Sequence, residues 1–139
     1  MSDYLKFLRQ PEGTAPVKTI LVVDNSPDVR HVVRTFLERD TNFKVCGEAG
    51  DGPEAIKKAE LLTPDLVLLD FLMPGMNGID VANVLRQLLP KTKIAIFSNY
   101  THDFGARLSS AVGIDAVIAK GSLADMAKSL KKLIGRKAN

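Results

Sequence analysis

The sequence predicts an α/β fold: a doubly wound, five-stranded parallel sheet with helices on both faces. Three observations lead there. Short apolar runs, such as Leu66 to Leu69 and Thr19 to Val23, end abruptly in an acid, Asp70 and Asp24. A run without polar alternation reads as a strand covered on both faces, the habit of parallel sheets. Segments with apolar residues at helical spacing alternate with these runs, and right-handed crossovers then wind the sheet in both directions.

Residues 1–17 stand apart as a tail or linker. Tyr4, Leu5, Phe7 and Leu8 are spaced for one amphipathic turn, and Gln10 to Pro16 has linker composition. The first strand, Thr19–Val23, ends at Asp24. Ser26-Pro27-Asp28 then reads as N-cap, first-turn proline and first-turn acid, opening a helix with Val29, Val32, Val33, Phe36 and Leu37 inward. Phe43–Gly47 is a second strand. Gly52-Pro53 opens a helix carrying Ala55, Ile56, Ala59 and Leu62, stopped by Thr63-Pro64. The Asp70 strand is third. A helix from Ile79 turns Val81, Val84, Leu85, Leu88 and Leu89 inward and stops at Pro90. The fourth strand, Lys93–Phe97, ends at Ser98. The helix expected over 102–112 is the least periodic. The fifth strand, Ala116–Ala119, ends at Lys120, and a last helix carries Leu123, Met126, Ala127, Leu130 and Ile134. The globular part spans 18–134, leaving 135–139 as a C-terminal tail.

The 139 residues suit one domain, and a hydrophobic fraction of 45% can fill one core. The formal charge of +3 gathers late, in Lys128, Lys131, Lys132, Arg136 and Lys137. Cations there complement a helix C-terminus rather than form a nucleic-acid face. A single cysteine, Cys46, permits no internal disulfide and reads as a small core residue. No run reaches membrane-span length and no secretory signal is present, so a cytoplasmic location is expected, with no membrane partner. His31 and His102 lack metal-ligand spacing and are expected on helix surfaces.

Ligands of open α/β sheets sit beyond the carboxyl ends of the strands. That edge would collect Asp24, Asp70, Ser98 and Lys120. Clustered carboxylates recruit a hard cation, and Asp24, Asp70 and a loop carbonyl suit Mg²⁺. A carboxylate can also attack phosphorus, provided that the phosphoryl charge is offset by metal and ammonium. Lys120 is a candidate for the ammonium, and Ser98 can donate to a phosphoryl oxygen.

These residues resemble those of the receiver domains of bacterial two-component response regulators, which have a flavodoxin-like fold. The resemblance covers about residues 18–134. It rests on Ile20-Leu21-Val22-Val23-Asp24, on Asp70 followed by Met73-Pro74 and Asn77-Gly78, on Ser98 and on Lys120. Gly47 to Gly52 and Lys120-Gly121 resemble receivers that precede helix-turn-helix output domains. No such domain follows here, which reads as a stand-alone receiver or a fragment cut after it.

The resemblance implies that Asp70 accepts a phosphoryl group from a histidine kinase or phosphotransfer protein. Asp24, Asn25, Asp70 and the backbone carbonyl of Leu72 would hold Mg²⁺. Ser98 and Lys120 would contact the phosphoryl group, and Leu72 and Tyr100 would flank it and slow its hydrolysis. The helix over 102–112, the fifth strand and the last helix would report the change to a downstream protein or a second copy, without direct nucleic-acid contact. Turnover would be limited to the chain's own phosphorylation and dephosphorylation. Three departures stand out: Asn25 where a second acid is usual, Val117 where an aromatic switch residue is common, and Gly121 where proline is common. Asn25 supports a phosphorylation-independent pseudo-receiver as the alternative. An aspartate-nucleophile phosphohydrolase would want an acid at Leu72. A flavin carrier would want a Ser/Thr/Gly-rich loop, not the acidic Asn25-Ser26-Pro27-Asp28.

Overall fold

Five strands form one parallel sheet in the order β2-β1-β3-β4-β5. The structure, a computed structural model, describes residues 17–40, 42–99 and 113–134. Its elements are β1 (Lys18–Val23), α1 (Pro27–Leu37), β2 (Phe43–Ala49), α2 (Gly52–Leu62), β3 (Leu66–Asp70), α3 (Gly78–Leu88), β4 (Lys93–Ser98), β5 (Ala116–Ala119) and α4 (Leu123–Ile134). The tail residues 1–16 and 135–139 and the helix expected over 102–112 lie outside the described residues, as do Tyr100 and His102.

Alternation along the strands sorts the core into two layers. Leu21, Val23, Val67, Leu69, Ile94 and Ile96 face one side with Ala55 and Ala59 of α2 and Val81, Ala82 and Leu85 of α3. Ile20, Val22, Leu66, Leu68, Ala95, Phe97 and Ile118 face the other, with Val33 and Leu37 of α1 and Met126, Leu130 and Ile134 of α4. All five residues of β3 are buried, as the unbroken apolar run requires of a central strand.

Each described helix begins on a polar cap, of which Ser26 is the one expected from the sequence. Ser26 accepts from the Val29 amide, Asp51 from the Glu54 amide and Ser122 from the Asp125 amide. Asn77 and Asp80 form a reciprocal capping box. Thr63 ends α2 with a left-handed backbone, φ 42°, and Pro64 prevents continuation. At the far end of α3, the Arg86 guanidinium donates to the carbonyls of Pro90, Thr92 and Gly113 and to Asp115. It ties α3 to the chain entering β5.

Some expectations need correction. Val32 is 50% exposed and Leu88 44% exposed, because both lie at the margin of their apolar stripe; Leu62 at the end of α2 is also exposed. The second strand continues to Ala49 and carries a bulge: Ile20 pairs with Val45 but Leu21 pairs with Gly47. Cys46 is the extra residue. It is partly buried against the α2–α3 layer, and its thiol donates to the Ile20 carbonyl at 3.6 Å. His31 lies exposed on α1 as expected.

The loop after β3 folds back tightly on the strand end. The Gly78 amide donates to the Phe71 carbonyl at 2.8 Å, and a β-carbon at Gly78 would stand 2.8 Å from the Asp70 carbonyl oxygen. Backbone cannot yield there as a side chain can. We predict that Gly78→Ala destabilises by about 1–3 kcal/mol, although alanine favours helix. Gly121→Ala, where an added methyl meets nothing within 4 Å, should stay within about 0.5 kcal/mol of the parent. Urea midpoints decide it; equal midpoints for Gly78→Ala and the parent would refute the clash.

Candidate functional site at the carboxyl edge of the sheet

The strand order reverses between β1 and β3, and the two strands pair in register from Ile20–Leu66 to Val23–Leu69. Their next residues are Asp24 and Asp70, so the pairing sets both acids side by side at the switch point, where such sheets bind ligands. Asp24 is 2% and Asp70 6% exposed. Lys120, just past β5, reaches back across β4. Its ammonium lies 2.9 Å from Asp24 and 3.3 Å from Asp70. It also stands 5.5 Å from the centre of the Phe97 ring, a cation–π contact. Ser98 ends β4, is buried, and its carbonyl accepts from the Lys120 amide. Phe97, one residue earlier, is the register partner of Asp70.

Asp24 is fixed on every side. Its amide donates to the Ala49 carbonyl, one carboxylate oxygen accepts from the Ser26 amide, and the other accepts from Lys120. Its own carbonyl accepts from Arg30 at 2.6 Å. Burial, and then the neighbouring charge of Asp24, push the Asp70 carboxyl above the ordinary carboxylate range; Lys120 and the Leu72 backbone offset only part of this. Burial disfavours the Lys120 ammonium, but its bonds and attraction to the two acids outweigh that and raise its pKa.

Of the residues singled out from the sequence, Asp24, Asp70, Ser98 and Lys120 gather at this edge. Asn25 is exposed at the bend after Asp24, and Leu72 is 53% exposed on the loop after Asp70. Val117 lies within β5 opposite Ile96, packed against the α2–α3 layer. Sequence reading missed Phe97 and Arg30. An aromatic ending an apolar strand reads only as core, and an arginine on a helix only as surface.

The donor set of the edge is hard: two buried carboxylates that already close around one cation, with the amide of Asn25 adjacent in sequence. Oxygen donors of this kind fit Mg²⁺. Among the described residues no group of three or more His, Cys, Asp or Glu side chains converges for a metal, so any ion here relies on carbonyl, amide and water oxygens beyond the two acids.

Comparisons with known proteins agree with this geometry. Residues 20–131 match the family of the response regulator receiver domain. The response regulator protein VraR of Staphylococcus saprophyticus is 33% identical over 118 residues, which are 84% of this chain and 56% of that protein. The chain thus spans about half the length of the curated relatives it matches. Among solved structures, a LuxR-family two-component response regulator from Aurantimonas superposes with a TM-score of 0.80 at 30% identity, covering 88% of this chain and 89% of that one. The response regulator domain of Thermotoga maritima CheB gives 0.79 at 25% identity, covering 88% and 99%. No helix among the described residues is long and apolar enough to cross a membrane. With its sheet order, its paired acids and its matching relatives, the chain belongs to the response regulator receiver domain family of two-component systems.

Proposed function

We propose that this receiver, residues 18–134, accepts a phosphoryl group on Asp70 with Mg²⁺ bound, and thereby switches a protein–protein surface. The supporting observation is the meeting of Asp24, Asp70 and Lys120 at one buried point. A carboxylate oxygen of Asp70 forms the new P–O bond as the P–N bond to a phosphohistidine of a kinase or phosphotransfer protein breaks. Lys120 offsets charge on the phosphoryl oxygens, and Ser98 donates to one of them. Asp24, Asp70, the Asn25 amide and the Leu72 carbonyl would hold Mg²⁺, which when bound supplies further positive charge against the phosphoryl oxygens. Neither Leu72 nor Tyr100 offers a carboxylate or carboxamide to orient an attacking water, which slows hydrolysis. The chain acts on no separate substrate.

The output surface comprises residues 102–112, β5 and α4, presented to a downstream protein or a second copy. The output is carried by protein contacts rather than by direct nucleic-acid binding. The basic C-terminal half of α4 is partly engaged internally, since Lys131 lies 2.7 Å from Asp40.

Asp70→Asn should abolish the phosphoryl adduct formed with Mg²⁺ and a small phosphodonor, read by intact mass. An undiminished adduct in the folded variant moves the acceptor elsewhere.

Asn25 favours a second reading, the pseudo-receiver, because an amide oxygen brings no charge to the ion. Asn25→Asp should bind Mg²⁺ more tightly and form adduct faster at limiting Mg²⁺. A parent that takes no phosphoryl group at saturating Mg²⁺, while Asn25→Asp does, makes the pseudo-receiver correct.

Asp70 also sets a pH dependence. Its pKa in the folded state is raised, so the folded chain holds this proton to higher pH than the unfolded chain does. The contribution therefore favours folding at low pH and is lost as pH rises through the range above 3.8. Asp70→Asn should melt higher than the parent at pH 7, with the difference shrinking toward pH 4. A variant that melts lower than the parent at pH 7 would show that pairing with Lys120 outweighs burial.

A further inference from the structure

We infer that Arg30 is a positioning residue for the metal side of the site, aimed by the bulge in β2. This rests on the receiver reading above. Arg30 lies on α1, one turn after the Ser26 cap, and its side chain is 17% exposed. One arm of its guanidinium donates to the Asp24 carbonyl at 2.6 Å, and Nε donates to Glu48 at 3.1 Å. The carbonyl it holds belongs to the peptide that joins Asp24 to Asn25, so Arg30 fixes the plane from which the Asn25 side chain departs. Two of the proposed Mg²⁺ donors flank that single peptide.

Glu48 makes this possible. Its second oxygen accepts from Arg34 at 3.0 Å, and its backbone carbonyl accepts from Lys58. Burial works against the Glu48 carboxylate, and the bonds from Arg34 and Arg30 outweigh it, leaving its pKa below the ordinary range. The bulge decides which way Glu48 points. Phe43 and Val45 face the α1–α4 layer. In an unbroken strand Gly47 and Ala49 would follow them, and Glu48 would face α2. The extra residue, Cys46, inverts the alternation: Ala49 joins the α2–α3 layer, and Glu48, paired with Val22, turns toward α1 and meets Arg30. Bulge, carboxylate, guanidinium and Asp24 carbonyl form one chain of contacts ending at the site. Such supports matter where a neutral amide replaces a charged ligand, because affinity then depends on how well the remaining oxygens are held.

The test is Arg30→Met, which keeps the apolar stem and removes the donors. Two quantities are read: the Mg²⁺ dissociation constant by calorimetry with the metal alone, and amide hydrogen exchange at Ser26, whose N–H bonds Asp24. Expected are about 10-fold weaker Mg²⁺ binding and faster Ser26 exchange, with exchange at Leu68 in β3 unchanged. Glu48→Gln, a milder change, should move both readouts the same way by less. If Arg30→Met matches the parent in Ser26 exchange and Mg²⁺ affinity, or if Leu68 exchange rises as much as Ser26 exchange, Arg30 only stabilises the fold and the inference fails. A parent that binds no Mg²⁺ and forms no adduct overturns the receiver reading instead, while Ser26 exchange still decides whether Arg30 holds the Asp24 peptide.

Discussion

Two like charges buried within reach of one ammonium set the terms for the rest of this structure. Asp24 and Asp70 have lost nearly all contact with bulk water, and a buried charge is costly unless it is paired. Lys120 neutralises one of the two negative charges, which leaves the pair with a net demand for positive charge. The partners lie far apart in sequence, Lys120 standing 96 residues beyond Asp24. The arrangement therefore exists only when β1, β3, β4 and β5 are all in place. The buried charge of Asp70 opposes folding at neutral pH, and the apolar core beneath, with β3 wholly buried, supplies the opposing stabilisation.

Parallel topology explains why the carboxyl edge is so polar. The strand ends there lead into helix starts, and helix starts need side-chain acceptors for their free amides. Ser26, Asp51, Asn77 and Ser122 meet that need. Acids at this edge are thus of two kinds. Asp51 and Asp80 are exposed and complete caps. Asp24 and Asp70 are buried and face a cation. Burial together with the partner separates site from scaffold; residue type and position at the edge do not. The tight return of the β3–α3 loop at Gly78 keeps this edge compact beside Asp70.

The VraR relative is longer than this chain, whose match spans 56% of it. The internal pairing of Lys131 with Asp40, and of Arg30 and Arg34 with Glu48, shows that several basic residues, which by composition alone would count as a surface patch, are committed to holding α1 against β2 and α4. Charge counted along a sequence overstates charge available to a partner whenever helices are packed by ion pairs.

The sequence by itself determined the elements and the chemistry at their ends. The apolar runs marked five strands, and Ser26-Pro27-Asp28 and Gly52-Pro53 marked two of the helix starts. Asp24, Asp70, Ser98 and Lys120 declared themselves because each stands where an apolar run ends. These are local properties, carried by neighbours within a few residues. Only the tertiary structure decided that Lys120 bridges both acids, that Phe97 lies beside its ammonium, and that Val32 and Leu88 stay exposed at the margins of their stripes. Only it revealed the bulge at Cys46, and with it the turn of Glu48 toward Arg30 and the hold on the Asp24 carbonyl. The physical reason is that register belongs to a pair of strands. A single inserted residue leaves no mark in the composition of Phe43 to Ala49, yet it exchanges the faces of every residue after it.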